Sequence, residues 1–343
     1  MTGAAIRATY ELEPHGTAEA FAAEESTGMG GGPGFVRGRV VEECGGRAVI
    51  EFPADNWGDN VALLVSSLVA GEATEDRTFS RCRLVGLDLP AGLLPGPALG
   101  GRPDVMVGVI VKPSLGLRPG EVAEVVKTAT GAGATFVKDD ELQGDPPWCR
   151  LGERVAAVAA VLPEGVTYCV NVTGPVESLV ERARRVVALG ATGVLVNAVA
   201  QGLGSVLTLR RAGLGVPVLV HRAGSGPWTR NGPFGVSGAV LTRLFRWCGA
   251  DVVIAGAFGG KLFESDEQVR ANVAAGHAEL GGGVPPCRVA LGGGIGGGNA
   301  VTQVEAAGGP GTGGLVVLLG SHAYGHADGL GGGVAEVVEG LRR

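Results

Sequence analysis

The chain has 343 residues, of which 45% are hydrophobic and 18% charged, with 63 glycines and a net charge of −6. That length suits one large core beside a smaller one, and the composition excludes a globally disordered chain. No Lys/Arg-rich stretch forms a nucleic-acid footprint, the acidic balance gives no attraction to an anionic membrane, and no apolar run reaches the ~18 residues of a membrane span.

In chain order, Met1–Tyr10 carries no apolar signal core. Ile6–Leu12, Arg37–Val41 and Ala48–Phe52 read as strands, and Thr17–Glu25 and Asp59–Ala70 as helices, which makes a small α+β domain over residues 1–99. The Pro/Gly-rich stretch Pro90–Pro103 reads as a linker. Eight apolar runs follow: Val105–Val111, Thr135–Lys138, Tyr168–Val172, Gly193–Asn197, Pro217–His221, Asp251–Ile254, Arg288–Leu291 and Leu315–Leu319. Segments with helical spacing lie between them, among them Glu121–Ala129, Glu153–Val161, Val176–Leu189, Val236–Trp247 and Glu267–Ala278. A strand about every 30 residues with a helix between is the βα unit, and eight units predict a (β/α)8 TIM barrel over residues 100–343. The six cysteines form no Cys-x-x-Cys pair, and several sit in apolar runs, which points to a reducing cytoplasm.

Polar residues recur where the runs end. They are Lys112, Lys138-Asp139-Asp140-Glu141, Asn171, Asn197, His221-Arg222, Lys261, Gly292-Gly293-Gly294 and Gly320-Ser321-His322. In a barrel these ends meet at one mouth, where active sites are built. The charge run at 138–141 can be a solvated cluster, but it directly follows an apolar strand. Asp140 and Glu141 offer two hard oxygen ligands for Mg2+, and a lysine that has taken up CO2 becomes a carbamate, a third oxygen donor. Glycines ahead of a helix suit a phosphate.

These residues resemble the RuBisCO large-subunit family across essentially the whole chain. Gly108–Leu117 resembles its first barrel strand, Gly133–Glu141 its metal-site strand, His221-Arg222-Ala223 its fifth-strand motif and Gly260-Lys261-Leu262 its loop motif. Ala22–Gly28 resembles the segment that the family lends to a neighbouring chain's active site. The resemblance implies Mg2+ held by Asp140, Glu141 and a CO2-derived carbamate on Lys138, with Lys112 as base or enolate stabiliser. It places His221, Arg222, Lys261, Gly293, Gly294 and Gly320 against substrate or phosphate, and the strand-end residues Asn171 and Ser321 are counted with that set. Glu24 would reach in from a partner, so a homodimer with its active site at the interface is implied.

The departures are as informative. Met29 and Gly30 stand where carboxylases have threonine and tryptophan, Ser114 replaces a lysine, Ile254 a histidine and Gly292 a serine. Glu72, or Gly71 one residue off, aligns with an asparagine that helps hold CO2 and metal. One positioned group is often worth ~10²–10³-fold in rate, so the pattern implies a RuBisCO-like, form IV protein and not a CO2-fixing carboxylase. The expected reaction is Mg2+-dependent enolisation of a phosphorylated keto sugar by an isomerase, tautomerase or epimerase, a methionine-salvage-type enolase being one version. Glu72 or Lys112 would move the proton. Ile254 and Gly292 thin the second-phosphate contacts, which predicts a monophosphate or a smaller, unphosphorylated distal end. Decarboxylation or transcarboxylation of a 3-keto sugar acid phosphate is the alternative, favoured by Lys261. A catalytically inactive scaffold or regulatory protein is another, opposed by the retention of all three metal ligands.

Overall fold

The computed structural model describes residues 4–27, 37–69, 71–90, 105–280, 284–309 and 314–343. The N-terminal sheet contains β1 (Ala5–Glu13), β2 (Arg39–Cys44), β3 (Arg47–Pro53) and β4 (Arg81–Asp88). Alternation along β1 buries Ile6, Ala8, Tyr10 and Leu12. The helix Ala18–Thr27 covers that face, with the Phe21 ring 4.5 Å from that of Tyr10. β1 is flanked by β3 and β4, both antiparallel to it. The expected helix over Asp59–Ala70 is shorter: one α-turn at Val61–Leu64 passes into a wider turn at Val65–Val69. The hydroxyl of Ser66 donates to the Ala62 carbonyl and that of Ser67 to Glu25, side-chain bonds that compete with a regular helix.

The second half supplies β5 (Met106–Ile110), β6 (Phe136–Lys138), β7 (Thr167–Asn171), β8 (Gly193–Asn197), β9 (Val218–His221), β10 (Phe234–Val236), β11 (Val252–Gly256), β12 (Arg288–Gly292) and β13 (Leu315–Leu319). All of these except β10 close into an eight-stranded parallel barrel, with β13 bonded to β5. The eight strands lie on the eight expected runs. Side chains alternate between two packed layers. Phe136, Cys169, Leu195, Leu219, Val252, Ala290 and Val316 fill the interior, while Val109, Val137, Val170, Val194 and Val317 face the surrounding helices. Because the strands are buried on both faces, they read as continuous apolar runs rather than alternating ones.

β10 leaves the barrel and pairs parallel with β4, aligning Phe234 with Cys82 and Val236 with Leu84. It takes Val236 out of the helix expected there. Ser237 caps that helix by accepting from the Val240 N–H, so the helix spans Gly238–Trp247. The Arg83 guanidinium fastens the same seam by donating to the carbonyls of Thr229, Phe234 and Val236. Apart from Pro90, the expected linker and the boundary at residues 99/100 lie outside the described residues, as do Met29 and Gly30. All six cysteines are free. Among the described residues no helix is long and apolar enough to cross a membrane.

Candidate active site

Lys138 is the last residue of β6 and points inward by strand alternation, after Phe136 inward and Val137 outward. Its side chain is wholly buried. The ammonium lies 3.2 Å from Glu141 Oε2. Lys112, just past β5, places Nζ 2.5 Å from Asp140 Oδ2 and 2.9 Å from Ser114 Oγ. Two lysines thus face two carboxylates at the barrel mouth. His221, at the end of β9, sets Nε2 3.4 Å from Glu141 Oε2. Its Nδ1 accepts from the Ala223 N–H, which fixes the proton of the neutral ring on Nε2, facing Glu141.

Burial shapes the charges. It lowers the Lys138 pKa, and Glu141 and Asp140 offset it only in part. It also holds His221 low, at about 3, helped by the Lys138 cation, so the imidazole is neutral at ordinary pH. Burial works against an ionised Glu141, but its positive neighbours outweigh that and hold the carboxyl at about 2.

A second ring of polar residues fixes the main chain that carries these groups. Asp139 points outward, behind the barrel. Its carboxylate accepts from Tyr168 Oη at 2.6 Å, from Arg154 Nη2 at 3.1 Å and from the Asn171 N–H at 3.1 Å. Burial disfavours the Arg154 charge, yet Asp139 outweighs it and raises that pKa. The Asn171 amide donates to the carbonyl of Glu141 at 3.0 Å, and that of Asn197 donates to the same oxygen at 2.8 Å. Asn197 Oδ1 is buried without a hydrogen-bond partner. Asn171 therefore acts on the backbone of the acidic turn and does not line the cavity above it.

That cavity, of about 410 Å³, is lined by Lys112, Glu141, His221, Arg222, Lys261, Gly293, Gly294, Gly320 and Ser321 among the expected residues, with Ile254, Leu262 and Phe263 beside them. Lys138 and Asp140 are fully buried and do not line it. Gly293 has a φ of +106°, and a Cβ there would stand 3.1 Å from Leu262, so the backbone approach requires glycine. Its carbonyl accepts from the Lys261 N–H at 2.9 Å, which ties the Lys261 loop to the end of β12. Glu24 and Glu72 are on the N-terminal domain and do not line the cavity of their own chain.

The mouth suits Mg2+ only with a modified lysine. Among the described residues no group of three or more His, Cys, Asp and Glu side chains is gathered to hold a metal. Asp140 and Glu141 would supply two oxygens, and a carbamate on Lys138 would give the third. A buried amine with a lowered pKa, touching Glu141, has the chemistry to take up CO2 and give that oxygen. On this test the residues fit.

Sequence reasoning did not single out the partners of this turn. Strand alternation alone signals that Asp139 faces away from Lys138. Nothing local to Glu264, which pairs with Arg222, gives it away.

A model of the family described as "Ribulose bisphosphate carboxylase large chain, catalytic domain" matches residues 97–340. An uncharacterized ribulose bisphosphate carboxylase-like protein of Bordetella bronchiseptica is 31% identical over 85% of this chain and 73% of its own length. A 3-oxo-isoapionate-4-phosphate transcarboxylase/hydrolase of Xanthobacter autotrophicus is 32% identical over 65% of this chain and 58% of its own. Against most such relatives, then, the chain matches under three-fifths of their length. The crystal structure of a rubisco-like protein (MtnW) from Alicyclobacillus acidocaldarius superposes with a TM-score of 0.82 at 29% identity, covering 98% of this chain and 93% of that one.

Proposed function

The chain belongs to the ribulose bisphosphate carboxylase large-chain family, and on that premise we propose that it is a Mg2+-dependent enzyme that enolises a phosphorylated keto compound and does not fix CO2. The observation that carries this reading is Lys138, buried at the end of β6 beside Asp140 and Glu141 and without a third acidic ligand. Mg2+ held by Asp140, Glu141 and a carbamate on Lys138 would supply Lewis-acid polarisation of a bound carbonyl. Lys112 lines the cavity and reaches both Asp140 and Ser114, so its Nζ is placed to take and return a proton at the carbon beside that carbonyl. The neutral His221 turns Nε2 toward Glu141, 3.4 Å from that carboxylate, and packs it in place. The glycine ends of β12 and β13, with Lys261, bind the phosphate.

The same groups serve loss of CO2 from a 3-keto acid, where a carbon–carbon bond breaks in place of a carbon–hydrogen bond. Lys261 at the cavity favours this second reading, and relatives named as 3-oxo-isoapionate-4-phosphate decarboxylases support it. We further propose a homodimer in which Glu24 and Glu72 serve the partner's mouth. This is supported by their absence from the lining of their own cavity and by exposed Leu115, Leu142 and Trp148 in and beside the acidic turn.

Deuterium exchange tests the reaction. Incubation of phosphorylated ketoses in deuterated water should label the carbon beside the carbonyl, and Lys112→Ala should abolish the labelling. Release of CO2 from 3-keto acid phosphates with no labelling of ketoses would move the assignment to the decarboxylase.

A further inference from the structure

The mouth has two places that can meet an anion, and they differ in charge. At the ends of β12 and β13 stand backbone glycines and the exposed Lys261. Across the cavity, after β9, stands Arg222. It is not a free cation. Both of its terminal nitrogens bind Glu264: Nη1 lies 2.6 Å from Oε1, and Nη2 bonds to Oε2. The two side chains are only 12% and 4% exposed.

The carboxylate is held on every side. Asn272 Nδ2 donates to Glu264 Oε1 at 2.6 Å. Gly256, at the end of β11, provides the space beneath it, since a Cβ there would stand 2.5 Å from Oε2. Ile254, Leu262 and Phe263 line the same cavity as Arg222. The fold has therefore spent the fork of Arg222 on an internal partner that is itself held by Asn272.

We infer that Glu264 is a specificity-determining residue that occupies Arg222 and restricts the mouth to substrates with one phosphate and an uncharged far end. This rests on the reading of the glycine ends as a phosphate site. A second phosphate arriving at Arg222 must either displace a bidentate, desolvated carboxylate or sit against it as a like charge. Two like charges ~5 Å apart at an effective dielectric of about 20 repel enough to change affinity about two-hundredfold, an upper figure that solvent and counterions reduce.

The test is titration calorimetry with Mg2+ and bicarbonate present, using ribulose 5-phosphate, ribulose 1,5-bisphosphate and inorganic phosphate as probes. The wild-type chain should bind the monophosphate at least as tightly as the bisphosphate. The isosteric Glu264→Gln should tighten the bisphosphate about tenfold to a hundredfold while the monophosphate moves by less than about threefold. A wild-type chain that binds the bisphosphate tenfold tighter overturns the inference even if the variant does not fold. A variant with an unchanged ratio of the two affinities overturns it too. If none of the three probes binds the wild-type chain, the phosphate site itself fails and the inference falls with it.

Discussion

Asp139→Asn tests whether the acidic turn is positioned from behind. The wild-type carboxylate neutralises Arg154, and both side chains are fully buried. Removing one partner of a buried pair costs about 3–5 kcal/mol, because a charge is left uncompensated. Arg154 Nη1 keeps the carbonyls of Gly144 and Cys149 at 3.0 and 3.3 Å, and an asparagine can still accept one of the two remaining bonds. The lower end, about 3 kcal/mol, is therefore expected. Urea denaturation followed by circular dichroism measures it. Mg2+ affinity in the presence of bicarbonate should fall about tenfold or more, because Asp140 follows directly in the chain and loses its anchor. The double variant Asp139→Asn/Arg154→Met should recover most of the stability, since it removes the stranded charge, but not the Mg2+ affinity. A single variant within about 0.5 kcal/mol of wild type, with unchanged Mg2+ binding, would refute the reasoning.

Burial pushes Glu25 up to about 7 from 4.5, so the folded state binds the extra proton and stability declines as pH rises from about 4.5 to about 7. The change is on the order of 3 kcal/mol, and Glu25→Gln should flatten it in urea titrations at several pH values. Gly293→Ala puts a Cβ against Leu262 at a φ of +106° and should weaken phosphate binding about tenfold by calorimetry. If the partner supplies Glu24, Glu24→Gln and Lys138→Ala are each inactive alone, and an equimolar mixture reassembled as dimers regains about a quarter of wild-type activity. No recovery would remove Glu24 from the site.

The barrel was legible because its strands are buried on both faces and so appear as uninterrupted apolar runs, each closed by a polar residue. The acidic turn was legible for a related reason: of the four charges directly after Phe136-Val137, Lys138, Asp140 and Glu141 gather at the mouth, whereas Asp139 turns away behind the barrel. β4 was missed although Cys82, Leu84 and Leu87 are buried along it, because its partners lie far away in the chain. β10 was missed because three residues show no period, and its pairing with β4 joins positions about 150 apart. Arg222 could be read as a ligand for substrate from its place after β9. Its pairing with Glu264 crosses 42 residues and depends on how two loops pack. Arg154 and Tyr168 read as parts of a helix and a strand, and only the third dimension turns them toward Asp139.

The central claim is that Lys138 becomes the third oxygen ligand. Mg2+ titration calorimetry with and without bicarbonate, on wild type and on Lys138→Ala, tests it most directly. The account predicts tight binding only for the wild-type chain with bicarbonate present. Mg2+ binding that is equal in all four samples would contradict it.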